Sequence, residues 1–263
     1  MNSCFIHSLP YASKQAIHVL SKIGSALLKK PKQKRDNMQS HQQFATLEGP
    51  FIFDKEEGDM PARLLILLHG WGADGRDLAD LGTPLQQMMP DLAIWCPHAP
   101  APCTANPMGR QWFELTDRFF QRPEEALEEM TQTGYLIEAA IDDACQELGL
   151  LAEDVILGGF SQGGMMSLHL ANQGQLQAAG FASLSGALVD EAHNPEDGPH
   201  HILLAHGTKD EVVPFAASRE AQAALEEVGH HVDFLARDGL GHGIDMAVLD
   251  GLGQFCQMVT SHD

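Results

Sequence analysis

No stretch of this 263-residue sequence approaches the roughly 18 unbroken apolar residues that a helix needs to cross a bilayer, so a membrane-spanning helix is excluded. Cysteine is scarce: Cys4, Cys96, Cys103, Cys145 and Cys256 are an odd number with no C-x-x-C spacing. Neither a disulfide framework nor a cysteine zinc site follows, and a reducing, cytoplasmic setting is expected. Histidine is plentiful at 14 residues, yet none falls in an H-E-x-x-H or H-x-E pattern. The pairs His200-His201 and His230-His231 should point to opposite faces of their strands, so no metal is expected. Positive charge is the other shortage, with 16 basic residues against 36 acidic ones. Seven of those 16 (Lys14, Lys22, Lys29, Lys30, Lys32, Lys34 and Arg35) precede the first acid, Asp36. The rest of the chain holds 9 basic and 36 acidic residues, a net −27. Such a body repels phosphate backbones and anionic headgroups, which argues against a nucleic-acid partner.

What is present divides the chain in two. Residues 1–45 read as a basic amphipathic extension in which Ser13 caps a helix and Ala16, Val19, Leu20, Ile23 and Leu27 share one face. Lys14, His18 and Lys22 interrupt it too often for a secretory signal. A membrane-surface helix, an organelle presequence and a leader outside the working protein all fit; the last, with translation beginning at Met38, fits the break in composition best. Residues 46–263, within a chain that is 44% hydrophobic, can bury the core of one catalytic domain.

In that domain short apolar runs alternate with longer amphipathic ones. Strands are predicted over 63–68, 92–96, 154–158, 180–184, 201–205 and 232–236, most of them buried on both faces. Helices are predicted over 75–89, 124–148, 162–173, 215–228 and 244–259, with Pro123 and Pro214 just ahead of two of them. This alternation calls for an α/β fold, a mainly parallel sheet with helices on both faces. The stretch 97–122, with four prolines, is too long for an idle connection in a compact domain and is expected to be functional.

Gly159-Phe160-Ser161-Gln162-Gly163 is a G-x-S-x-G element between a predicted strand and a predicted helix. That is where a nucleophile elbow must lie: the serine rides a sharp turn, and side chains at the flanking positions would strike the neighbouring strand and helix. The plainer alternative is a glycine-rich turn whose serine merely caps the helix.

A serine hydroxyl is a poor nucleophile until a base takes its proton, and the base needs an anion to orient it. Downstream, Asp210 follows the predicted strand 201–205, which puts it at the same sheet edge as Ser161; Glu211 is the reserve for the acid. His242, in Gly239-Leu240-Gly241-His242-Gly243, lies after the last strand, on a glycine-rich loop able to reach back over that edge. His206 and the pair His230-His231 are expected to be packed or solvated. Leu68-His69-Gly70-Trp71-Gly72 follows the strand 63–68, and the backbone N–H groups of Trp71 and Gln162 are the expected donors of an oxyanion hole.

With these pieces assembled, the chain from about residue 51 to residue 259 resembles the carboxylesterase/phospholipase family that includes the acyl-protein thioesterases, and more closely its small bacterial esterases. The resemblance rests on His69-Gly70-Trp71-Gly72, Gly109-Arg110-Gln111-Trp112-Phe113, Gly159-Phe160-Ser161-Gln162-Gly163-Gly164, His206-Gly207-Thr208-Lys209-Asp210 and Gly241-His242-Gly243. It implies an α/β-hydrolase fold without a cap domain, Ser161 as nucleophile, Asp210 as orienting acid and His242 as base. It further implies action on short acyl esters or thioesters, homodimers, and Trp112 and Phe113 near the acyl site. Trp71 departs from the pattern, standing where the thioesterases usually carry leucine. The expected function is therefore a serine carboxylesterase or thioesterase that works through an acyl-enzyme, with a small ester or thioester as its substrate and no cofactor. The rivals are a non-catalytic binding protein that kept the fold and a serine peptidase on the same fold.

Overall fold

The computed structural model describes residues 39–54, 58–115, 123–174, 176–193 and 198–261. The expected tail helix after Ser13, the basic run that follows it and the start at Met38 lie outside the described residues.

Ten strands are described: β1 (Gln39–Phe44), β2 (Leu47–Ile52), β3 (Arg63–Leu68), β4 (Leu92–Trp95), β5 (Ala101–Pro102), β6 (Arg110–Gln111), β7 (Val155–Phe160), β8 (Gly180–Leu184), β9 (His201–Gly207) and β10 (His231–Arg237). Eight of them form one sheet in the order β1-β2-β4-β3-β7-β8-β9-β10, and β5 pairs with β6 separately. The β1–β2 and β2–β4 pairs are antiparallel, and from β4 to β10 every neighbouring pair is parallel. The helices are α1 (Arg76–Ala79), α2 (Gly82–Met88), α3 (Pro123–Leu148), α4 (Gln162–Gln173), α5 (Phe215–Glu227) and α6 (Met246–Val259).

The apolar run of β3 is continuous because both of its faces are covered. Leu64, Ile66 and Leu68 join a cluster with Met130, Ile137 and Ile141 of α3 and Met166 and Leu168 of α4. Leu65 and Leu67 face the other way, onto Leu78, Leu85, Leu249 and Leu252 of α1, α2 and α6. All five strand residues are fully buried, each contributing roughly 1.5–3 kcal/mol. After β3 the chain moves to β4 on one side and later returns as β7 on the other, so the order reverses between β3 and β7. In open α/β sheets a crevice opens at the carboxyl ends of the strands at such a switch point. Ser161 follows β7 there and Trp71 follows β3.

Three local differences from the sequence reading have physical reasons. The helix expected over 75–89 is two, α1 and α2, broken at Asp80 and Leu81. Pro84 has no N–H to donate back along a continuous helix, and it sits comfortably in the first turn of a new one. The hairpin β1–β2 was not foreseen, since the strand Gln-Ser-His-Gln-Gln-Phe lacks apolar alternation and its turn uses Ala45 at φ 48° in place of the usual glycine or asparagine. The hairpin starts at Gln39, so the expected boundary at residue 45 falls within it. The long stretch from Pro97 contains the β5–β6 ladder, Ala101 opposite Gln111 and Pro102 opposite Arg110.

Candidate active site

Ser161 sits at φ 54° and ψ −113° between β7 and α4, a conformation a residue with a side chain rarely holds. Its surroundings over-determine that strain. The Ser161 N–H donates to the Leu184 carbonyl of β8 at 2.8 Å, and its carbonyl accepts from Met165 at 3.0 Å. A Cβ at Gly159 would meet the Gly163 carbonyl carbon at 2.2 Å, and one at Gly163 would meet the Leu68 carbonyl oxygen at 1.9 Å. Strand, turn and helix thus close on one another with no room for side chains at the two flanking positions. The Ser161 hydroxyl makes no cap hydrogen bond to α4, so a capping serine is not what the turn holds.

Asp210 follows β9 in a turn that fixes its carboxylate from both ends. Oδ1 accepts the N–H groups of Val212 and Val213 at 2.8 and 2.9 Å. Oδ2 lies 2.7 Å from His242 Nδ1 and 3.3 Å from His206 Nε2. The loop that carries His242 is tied to the same turn. Lys209 N–H donates to the Leu240 carbonyl, and the Thr208 hydroxyl both accepts from Gly239 N–H and donates to Asp238. Arg237 at the end of β10 grips Asp245 by two nitrogens, Nη2 at 2.7 Å and Nε at 3.1 Å, while Asp245 caps α6 through Val248 N–H. Both ends of the His242 loop are therefore pinned. The His242 ring lies 4.8 Å from the Phe160 ring, one residue from Ser161. Among the described residues no hydrogen bond joins the Ser161 hydroxyl to His242.

The turn after β3 approaches Ser161 closely: a Cβ placed on Gly70 would lie 3.5 Å from Cβ of Ser161. Gly72 N–H donates to the Arg110 carbonyl at 2.9 Å, Arg110 N–H donates to Ala73 at 2.8 Å, and Asn106 Nδ2 donates to the Gly72 carbonyl at 2.7 Å. The Trp71 indole N–H donates to Gln111 Oε1 at 3.1 Å. The stretch between β4 and α3 thus braces this turn from the side. The backbone N–H groups of Trp71 and Gln162 have no hydrogen-bond acceptor among the described residues; for Gln162 that follows from its place at the start of α4.

The side chain of Gln162 bonds main chain at both ends, its Oε1 accepting from Trp112 N–H at 3.0 Å and its Nε2 donating to the Phe113 carbonyl at 2.7 Å. Trp112 and Phe113, expected near the acyl site, are core residues, 1% and 2% exposed. The Trp112 indole donates to the His69 carbonyl at 2.9 Å. Their position is fixed by packing, and they meet the start of α4 beside Ser161 through backbone atoms.

His69 is fully buried, with Nδ1 against the Gly70 carbonyl at 2.8 Å and Nε2 accepting from Ala99 N–H at 3.0 Å. That pattern needs the neutral ring. Burial, opposed by the Gly70 carbonyl, pushes its pKa down from 6.5 to about 4. His230, 4% exposed, is likewise lowered to about 4, first by burial and then by His200 and His231. Between those values an unfolded chain binds protons that the native chain refuses, so stability should fall as pH drops from about 6.5 to about 4. His69 alone accounts for about 3 kcal/mol of that loss. Urea midpoints followed by circular dichroism at pH 7 and at pH 4.5 check it, and equal midpoints would contradict it. Asp210 behaves in the opposite sense: burial alone would raise its pKa, but hydrogen bonds from His206 and His242 hold it well below the usual carboxylate range. Its contribution is lost only at pH below the ordinary carboxylate value.

Of the other histidines considered, His200 and His230 are buried and stacked with centroids 5.5 Å apart, whereas His201 and His231 are exposed on the opposite face. Glu211, the reserve acid, is exposed. Sequence reasoning missed the Gln162 side-chain clamp, the Arg237–Asp245 pair and the contact of His206 with Asp210. The signal for the last was the four-residue spacing of His206 and Asp210 around a glycine turn.

The model of the Phospholipase/Carboxylesterase family matches residues 50–260. A curated relative, acyl-protein thioesterase 1 of Neurospora crassa, is 28% identical over 197 residues, covering 67% of this chain and 78% of its own. The protein of the same name from Emericella nidulans is 29% identical over 187 residues, 63% of this chain and 76% of its own. Among solved structures, esterase PE8 superposes with a TM-score of 0.73 at 31% identity, over 82% of this chain and all of that one. Arabidopsis thaliana SOBER1 follows with a TM-score of 0.66 at 25% identity, over 76% of this chain and 100% of its own. With a family match over most of its length on this α/β sheet, the chain belongs to the phospholipase/carboxylesterase family.

Proposed function

We propose that this protein is a serine carboxylesterase or thioesterase that hydrolyses short acyl esters or thioesters through Ser161, His242 and Asp210, without a cofactor. The observation that carries the reading is the contrast at Ser161: a strained backbone held on every side, with a hydroxyl that no cap bond engages, on the sheet edge where Asp210 holds His242 at 2.7 Å. The thioesterase and esterase names of its relatives support the substrate class.

In this reading Asp210 accepts a hydrogen bond from the Nδ1–H of His242, which keeps the proton on Nδ1 and leaves Nε2 as the base. Nε2 takes the Ser161 proton as Oγ attacks the acyl carbon. The carbonyl oxygen becomes anionic and is held by the N–H groups of Trp71 and Gln162, each worth about 2.7–4 kcal/mol of transition-state stabilisation. The proton passes from His242 to the departing alcohol or thiol, leaving an acyl ester on Ser161. Water, deprotonated by the same nitrogen, then releases the acid. Trp112 and Phe113 serve the site by fixing Gln162, which keeps its N–H at the start of α4 aimed at the oxygen.

A fluorophosphonate probe should label the protein stoichiometrically at Ser161, and p-nitrophenyl esters should be turned over where peptide anilides are not. A folded protein that fails to label is a binder on a hydrolase fold. Faster cleavage of anilides would make it a peptidase. A chain-length series of the esters then measures the depth of the acyl pocket.

A further inference from the structure

His206 lies at the end of β9 and is 1% exposed, yet it does not pack as an inert core ring. Its Nε2 is 2.9 Å from the Val213 carbonyl and 3.3 Å from Asp210 Oδ2. Both neighbours are acceptors, so the proton of this imidazole is on Nε2. Its Nδ1 is buried without a hydrogen-bond partner, a cost that an apolar side chain of the same size would not carry. The groups facing this pair come from four segments. β9 supplies His206 itself, the loop after β10 supplies His242, and α5 presents the Phe215 ring edge-on at 6.0 Å; the turn from Asp210 adds the Val212 and Val213 amides.

We propose that His206 is a positioning residue of the site: its Nε2–H, hydrogen-bonded to the Val213 carbonyl at 2.9 Å, also faces Asp210 Oδ2 at an N···O distance of 3.3 Å, so that the carboxylate is oriented before His242 meets it and its pull on the His242 proton is moderated. This rests on the hydrolase reading above. The two valine amides fix Oδ1, but they leave the carboxylate free to pivot about that end. His206 supplies the second point on Oδ2, and the plane of the carboxylate is then set without help from His242, which sits on a loop. A second donor on Oδ2 also shares its charge. When it is removed, Oδ2 becomes a stronger acceptor toward His242 and favours the cationic ring, so the acid limb of kcat/KM must move to higher pH.

The test compares His206→Leu, which keeps bulk and loses the donor, with His206→Gln, whose amide nitrogen can reach the same oxygen. Rates on a p-nitrophenyl ester are followed between about pH 5 and 9, with circular dichroism confirming the fold. His206→Leu should lose roughly tenfold or more in kcat and shift the acid limb up by about 0.5–1 pH unit. His206→Gln should stay within about threefold of the parent with an unmoved limb. A folded leucine variant whose limb does not move, or a glutamine variant that shifts as much as leucine, overturns the proposal. Should the leucine variant not fold, long-range ¹⁵N–¹H spectra of the unaltered protein decide: a proton on Nε2 of His206 is required, and a proton on Nδ1 refutes it. Probe labelling of the unaltered protein separates the two levels. If Ser161 does not label, the hydrolase reading falls and this inference with it; if it labels and the variants behave otherwise than stated, only the role of His206 falls.

Discussion

Ser161→Ala should reduce kcat on a p-nitrophenyl ester by about 10⁶-fold and abolish fluorophosphonate labelling, with a thermal midpoint within about 3 °C of the parent. The expectation of an intact fold is specific to this turn. The backbone at Ser161 is held by its own N–H on Leu184 and its carbonyl on Met165, and alanine keeps both. The hydroxyl contributes no cap bond whose loss would weaken α4. Alanine at φ 54° is as strained as serine, so the local energy is unchanged. Activity then falls because no atom remains to form the acyl ester, while the Trp71 and Gln162 amides still bind the carbonyl and leave a small residual rate. Turnover above about one per cent of the parent would remove Ser161 from the mechanism.

Asp210→Asn should lower kcat by about 10⁴-fold, again in a folded protein. The carboxylate here is engaged at both oxygens: Oδ1 accepts two backbone amides and Oδ2 meets His242 Nδ1 at 2.7 Å, with His206 Nε2 3.3 Å away. An asparagine has one oxygen, and the amides of the turn will claim it, since a rigid backbone cannot reorient. The NH₂ group then faces His242, whose ring must present a lone pair at Nδ1 and carry its proton on Nε2. That tautomer cannot take a proton from Ser161. The same NH₂ also confronts His206 Nε2, so a small loss of stability should accompany the loss of rate. A steady-state kcat within about tenfold of the parent would show that Asp210 does not set the tautomer of the base.

The sheet and most of its helices were legible because burial on both faces writes continuous apolar runs, as in Arg63–Leu68, while the helices between them kept an apolar stripe. Ser161, Asp210 and His242 were legible as residues because each follows a strand of a parallel sheet, and parallel strands end on one edge. What periodicity could not show was which polar side chains the loops and turns bring together. Arg237 and Asp245 were ordinary charges until the loop between them closed, and His206 was one histidine among many until the turn after β9 brought Asp210 back against it. The polar strand Gln39–Phe44 went unread because its pairing partner, β2, supplies the reason for it to be extended. The break between α1 and α2 had a visible cause in Pro84, yet the apolar periodicity on either side masked it.

The manner in which Gln162 is held has a practical corollary. Its carboxamide reads an N–H and a carbonyl of the peptide backbone at Trp112 and Phe113, which any pair of residues would offer in that conformation. The aromatic side chains are interchangeable with other large apolar groups as far as this staple is concerned, provided the segment keeps its path. The exposed side chains of the neighbouring stretch, Thr104, Ala105, Pro107 and Met108, can therefore be changed without disturbing the Gln162 amide, whereas Asn106 and Gly109 brace the Gly72 turn and must stay, and a single inserted residue there would pull the segment out of line.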